Sequence, residues 1–147
     1  MTKVPKVVKI VSILGLLPFI FGAIASLQLS LIEDTLNKFF LNFSILYSAL
    51  ILSFLGGCLF GFECLSKSMP NKKRVWIAIV PTLWAIVALQ ITNFSASILA
   101  IGFLLVYEVD RKAYAAGAVP YWWLSLRLPL TAIVILSLSI IGFSHAS

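Results

Sequence analysis

The sequence predicts an all-α integral membrane bundle of five transmembrane helices, and two observations carry that prediction. Charged residues are absent from Ile10–Ile32, Phe39–Phe62, Val75–Tyr107 and Leu128–Ser147, stretches of 23, 24, 33 and 20 residues in a chain of 147. A bilayer core about 30 Å thick is crossed by roughly 20 apolar residues of helix. Lipid offers the backbone no partner, so runs of this length must bond internally as helices. Composition agrees: 61% of residues are hydrophobic, 11% are charged, and the mean hydropathy is +1.08. Residues 1–147 are therefore expected to form a single transmembrane domain with no separate soluble one.

The first span is read at about 10–31. Its three preceding lysines and the small-residue pattern Ala23-Ile24-Ala25 look like a secretory signal peptide. Its apolar run continues to Ile32, however, beyond the usual signal core of about 7–15 residues, which favours a retained span. Intact mass would distinguish the two.

The second span, about 39–62, carries a strip of small residues at four-residue spacing: Ala49, Ser53, Gly57 and Gly61, with Gly56 beside it. Small side chains let helices approach closely where lipid provides no hydrophobic drive. The strip is expected to pack against a neighbouring span, and the alternative is a face for a second copy or a partner. Shorter echoes stand at Gly22 and Ser26.

The 33-residue stretch would be about 50 Å long as one helix, too long for one crossing and enough for two. Thr92 and Asn93 are its natural turn. This gives a third span at about 75–91, a fourth at about 94–109 and a fifth at about 120–143, with Pro120 suited to the first turn of the last helix.

Five spans place Lys3, Lys6, Lys9, Lys67, Lys72, Lys73, Arg74, Arg111, Lys112 and Arg127 on one side and Lys38 alone on the other. The positive-inside rule then puts the N-terminus in the cytoplasm and the C-terminus outside. The expected location is a bacterial inner membrane, since no long Arg- and Ser-rich presequence precedes the first span. The formal net charge of +6 is explained by orientation, and nucleic acid is not an expected partner.

Pro18, Pro81 and Pro129 fall inside the proposed helices. Each removes a hydrogen bond to the carbonyl four residues earlier, so kinks are expected there. Trp76, Tyr107, Tyr114, Tyr121, Trp122 and Trp123 mark one membrane boundary as depth anchors. Trp84 lies mid-span, where its indole N–H needs a buried acceptor.

The residues offer little chemistry. The single histidine, His145, has no Cys or carboxylate neighbour with which to hold a metal. Cys58 and Cys64 lie six apart on one helix, an estimated 9 Å or so between Cα atoms, too far for a disulfide. No nucleotide loop, nucleophile motif or paired mid-membrane carboxylate is present. No cofactor or metal is expected and the chain is not expected to be an enzyme.

Glu63, Glu108, Asp110 and Arg127 are the ionisable groups nearest the membrane. Counted from Pro120, Arg127 lies about 10 Å along the fifth helix, deep enough to need a partner or to snorkel. An interhelical ion pair between Asp110 and Arg127 would tie spans four and five together. The alternative is a solvated Asp110 satisfied by Arg111 and Lys112.

Gly15-Leu16-Leu17-Pro18-Phe19, Tyr47 with Ile51-Leu52-Ser53-Phe54-Leu55-Gly56-Gly57 and Gly61, Pro81 with Trp84, Asp110, and Trp122 followed by Leu126-Arg127-Leu128-Pro129-Leu130-Thr131 resemble one small-membrane-protein family. It is the uncharacterised bacterial and mitochondrial family that includes transmembrane protein 69 (domain of unknown function 3429). The resemblance covers nearly the whole chain and implies a five-helix integral protein of unassigned activity. Where many relatives carry a polar residue and Trp before the second-span glycine, this chain has Leu59 and Phe60, so a proton or metal role at that position does not carry over. Both Asp110 and Arg127 fall within the family pattern, which favours their pairing.

Small residues, short loops and the lack of a catalytic constellation favour a structural or assembly component of a membrane complex. Its expected partners are the lipid bilayer and a membrane protein or a second copy. The alternative is a small transporter or channel for an ion or small solute, motivated by the three prolines and by Arg127. An intramembrane enzyme is the least supported class.

Overall fold

Pro18 and the Thr92-Asn93 pair set the first and the middle breaks of the molecule. The computed structural model describes residues 4–27, 33–65 and 69–146. Lys3, Lys67, residues 28–31 of the first span, Ser147 and the side chain of His145 lie outside the described residues. Helices α1 (Lys6–Leu14) and α2 (Leu17–Ser26) together make the first apolar rod. They are followed by α3 (Asp34–Cys64), α4 (Lys72–Gln90), a 3₁₀ turn at Thr92–Phe94, α5 (Ser95–Ala115) and α6 (Trp123–Ala146). Five helical stretches are long and apolar enough to cross a membrane.

Local chemistry explains the boundaries. Asn71 caps α4, its side-chain oxygen accepting from the backbone N–H of Lys73 and Arg74 at 3.1 and 3.4 Å. At Thr92–Phe94 the 33-residue apolar run breaks, with Ser95 Oγ donating to the Thr92 carbonyl at 3.1 Å. Helix α5 continues past Tyr107 through the charged segment and stops at a Schellman motif. There Ala118 N–H bonds the Ala113 carbonyl, Gly117 N–H bonds the Tyr114 carbonyl, and Gly117 takes φ +67°. Helix α6 begins at Trp123, three residues after the expected start, and Pro120 stands outside it with its carbonyl accepting from Trp123 N–H.

The three prolines do not all act alike. Pro81 and Pro129 lie inside continuous helices. Pro18 does not: the chain turns at Gly15–Leu16 and Pro18 falls in the first turn of α2. The ring excludes a bond to the Leu14 carbonyl, whereas a first-turn position has no such bond to lose.

Helix α3 is the central strut, touching α2, α4 and α5, while α6 closes the ring against α5 and α2. Phe19, Leu52, Leu99, Phe103, Leu138 and Ile141 fill the middle and are almost fully buried. Phe19 meets Tyr47 and Phe103 edge-on, at centroid separations of 5.5 and 6.0 Å. Helix α1 is the exception. It buries no residue and leaves Val7, Val11 and Leu14 exposed.

The small-residue strip of α3 does not behave as one packing face. Ala49 is buried in the core, and Ser53 turns to α4, where its hydroxyl lies 2.9 Å from that of Thr82. Gly57 and Gly61 face open space, with no atom within 4 Å of where a Cβ would stand. The glycine that packs is Gly56: a Cβ there would strike the Ala78 carbonyl and the Pro81 ring. Each four-residue step turns about 40° past a full circle, so the strip winds off its starting face, whereas a seven-residue step returns within about 20°. Gly56 is seven residues after Ala49, and Ala49, Leu52, Gly56, Leu59 and Glu63 form the buried seam. The echo at Gly22 does pack, against Ser44.

Candidate functional site

The basic end of the bundle brings together the ends of α3, α5 and the starts of α4 and α6, and most of the described interhelical polar contacts lie there. Asp110, on the last turns of α5, is 1% exposed and Arg127, one turn into α6, is 5% exposed. Arg127 Nε donates to Asp110 Oδ2 at 2.9 Å. Trp123 Nε1 donates to the other carboxylate oxygen at 3.0 Å. Residues 123 and 127 lie one turn apart on one face of α6, so both donors reach a single acceptor on α5.

Arg111 does not serve Asp110. It pairs with Glu108 at 3.0 Å on the exposed side of α5. Trp123 likewise differs from its expected role as a depth anchor: it is 8% exposed, stacks edge-on against Phe62 at 4.9 Å, and bonds the buried acid. A tryptophan four residues before an intramembrane arginine was the available signal, since one helical turn puts the two on the same face.

Arg127 reaches the carboxylate through Nε alone and not through the two-pronged contact that guanidinium and carboxylate usually favour. Its Nη2 is buried with no hydrogen-bond partner, as is Thr131 Oγ1 one turn further on. Arg127 also lines a cleft of about 540 Å³ between α1 on one side and α3 and α6 on the other. Val8, Val11, Phe54, Cys58, Trp123 and Leu130 are among its other walls. The break before Pro18 makes this cleft, by releasing α1 from the ring that α2 joins.

A second polar contact ties α3 to α4. Glu63 is 5% exposed and accepts from Arg74 Nη1 at 2.7 Å and from Asn71 N–H at 3.1 Å. The pairing went unread in the sequence, although an acid ending one span and a basic run opening the next mark the same membrane depth. Mid-span, Trp84 Nε1 finds its acceptor in the Ile98 carbonyl at 2.7 Å. Gly102 makes this possible: a Cβ there would stand 2.7 Å from both Trp84 Cδ1 and Leu52 Cδ2.

No group of three or more His, Cys, Asp or Glu side chains that could hold a metal ion occurs among the described residues, and Cys58 and Cys64 are free thiols. The arrangement can bind helices to one another.

The model of the family described as protein of unknown function (DUF3429) matches residues 4–142, and the chain belongs to that family. No curated protein and no solved structure matches it.

Proposed function

We propose that the protein is a non-catalytic structural or assembly component of a membrane complex. The observation that carries this reading is the uncovered notch at Gly57 and Gly61 on α3. Glycines on an open helix flank let a second helix come to backbone contact. The buried seam of α3 is occupied by its own bundle, and the mid-bundle layer of Phe19, Leu52, Leu99 and Phe103 is filled. A filled middle weighs against the transporter or channel reading, which needs a wet path.

The reading includes an orientation, with the N-terminus cytoplasmic and the C-terminus outside, in a bacterial inner membrane. Its support is the ten-to-one division of basic residues between the two ends. It also includes relationship to proteins such as transmembrane protein 69, supported by the Ser53–Gly57 and Leu126–Thr131 blocks.

The test is extraction in mild detergent, native electrophoresis and mass spectrometry of the wild-type chain and of Gly57→Leu/Gly61→Leu. A stable partner or second copy that the double variant loses, with helicity unchanged, is the expected result. A lone wild-type species would overturn the assembly reading. Reporter fusions at the two termini that report the same compartment would overturn the orientation.

A further inference from the structure

We propose that α1 is a hinged arm, swinging about the Gly15–Leu16 joint between the splayed position of this structure and a closed one in which its inward face packs on α3 and α6. This goes beyond the assembly reading and does not depend on it. The first observation is a weakened joint. Pro18 has no N–H to offer the Leu14 carbonyl. Phe19 N–H turns from the Gly15 carbonyl to that of Leu16 at 3.1 Å, which Ile20 N–H shares at 3.2 Å, and Leu16 N–H closes a tighter turn on the Ile13 carbonyl. Two successive bonds that would continue the helix from α1 into α2 are therefore absent. A bend there meets less resistance than inside either helix, and such gaps in the bonding ladder are where helices kink.

The joint is also a fixed pivot. On its α2 side Leu16 and Phe19 are buried, Phe19 lies edge-on against Tyr47, and the Tyr47 hydroxyl stands 3.4 Å from where a Gly15 Cβ would be. On its α1 side nothing is buried.

The second observation is that α1 is patterned for neighbours it does not meet. Val8, Val11, Ser12 and Gly15 share one side of the helix and line the cleft. Lys6, Lys9, Ile10 and Ile13 fall on the opposite side and are exposed. Sorting the short side chains to one face is what lets helices approach closely in lipid. Across about 540 Å³ that face looks onto Ile51 and Phe54 of α3 and Leu126 and Leu130 of α6. The segment that fits this space, by its tether and by its pattern, is α1 itself. A rod of nine residues is about 13 Å long, so a bend of about 20–30° at the joint carries its far end about 5–7 Å.

The test measures distances between spin labels by double electron–electron resonance on the full chain in lipid nanodiscs. Cys58→Ser/Cys64→Ser removes the two native thiols. Labels at Lys6→Cys and Lys73→Cys then join the outward face of α1 to the start of α4, and labels at Lys73→Cys and Lys112→Cys give a reference pair that leaves α1 out. The first pair is expected to show two distances, separated by about 3–7 Å, and the reference pair one. Two variants follow. Ser12→Phe wedges the cleft and is expected to leave only the longer distance. Pro18→Ala returns an N–H to the Leu14 carbonyl and is expected to leave a single population. Both are expected to keep the helicity of the parent chain by circular dichroism. A single distance for the first pair in the parent chain, a matching split in the reference pair, or two populations undiminished in both helical variants would each overturn the proposal.

Discussion

Replacing Asp110 alone should destabilise the bundle far more than replacing Asp110 and Arg127 together. Asp110→Leu removes the acceptor of two bonds, from Arg127 Nε at 2.9 Å and Trp123 Nε1 at 3.0 Å. With side chains 1% and 6% exposed, water screens the pair little. One partner of such a pair left alone costs about 3–5 kcal/mol in a protein interior. Here Arg127 sits one turn, about 6 Å, from the start of α6 and can snorkel part of the way out. About 2–3 kcal/mol for each single substitution is the resulting expectation. Asp110→Leu/Arg127→Met leaves only the Trp123 N–H without its acceptor, a loss of about 1 kcal/mol. The coupling between the two positions is then about 3 kcal/mol or more. Reversible unfolding of the four proteins in mixed micelles measures it. Effects that add in the double variant to within about 0.5 kcal/mol would refute an energetic pair. Exchanging the two charges is the weaker test, because the Trp123 N–H would then face a guanidinium, donor against donor.

Three other expectations follow from the packing. Gly102→Ala puts a methyl group 2.7 Å from Trp84 Cδ1 and Leu52 Cδ2, and should lower stability by about 1–3 kcal/mol in the same unfolding assay; Trp84→Phe in the double variant should relieve only the part of the clash that involves the indole, leaving the contact with Leu52. Gly56→Leu should destabilise the bundle, since its side chain would meet the Ala78 carbonyl, whereas Gly57→Leu should leave the melting temperature of the isolated chain unchanged; equal effects would show that the α3 seam is misplaced. Glu63→Gln should cost no more than about 1 kcal/mol, because Arg74 is 30% exposed and water takes over much of its charge; hydrogen exchange should report the loss locally, at the first turn of α4.

What the sequence made legible follows from what lipid enforces. Apolar length alone sets the number of rods, and the Thr92-Asn93 break was readable because 33 uncharged residues are too long for one crossing. The Asp110–Arg127 contact was readable for a related reason: an intramembrane charge has few places to go. The α3 glycines were harder. Four-residue spacing looks like a face on paper but winds around the helix, and only the seven-residue relation of Ala49 to Gly56 stays on the seam. Trp123 was hidden by its neighbours, since three consecutive aromatic residues at a boundary look alike until the helix start is known to the residue. The cleft was not legible at all. It depends on where the first rod breaks, and a proline inside a rod and a proline opening a second helix read the same in sequence.

The two ends of the bundle are held by different forces, and this gives α1 its place. At the basic end the contacts are directional and polar: Asp110 with Arg127 and Trp123, and Glu63 with Arg74. At the other end α2 closes on α3 at Gly22 and Ser44, and α6 closes on α5 at Gly142 and Ser97, with too little room for a Cβ. Such close contacts have no give, because packed interiors tolerate little change in volume. Helix α1 belongs to neither system. It is joined to α2 through the Gly15–Leu16 turn and buries nothing. The break before Pro18 is thus the structural reason that α1 stands apart from both sets of contacts.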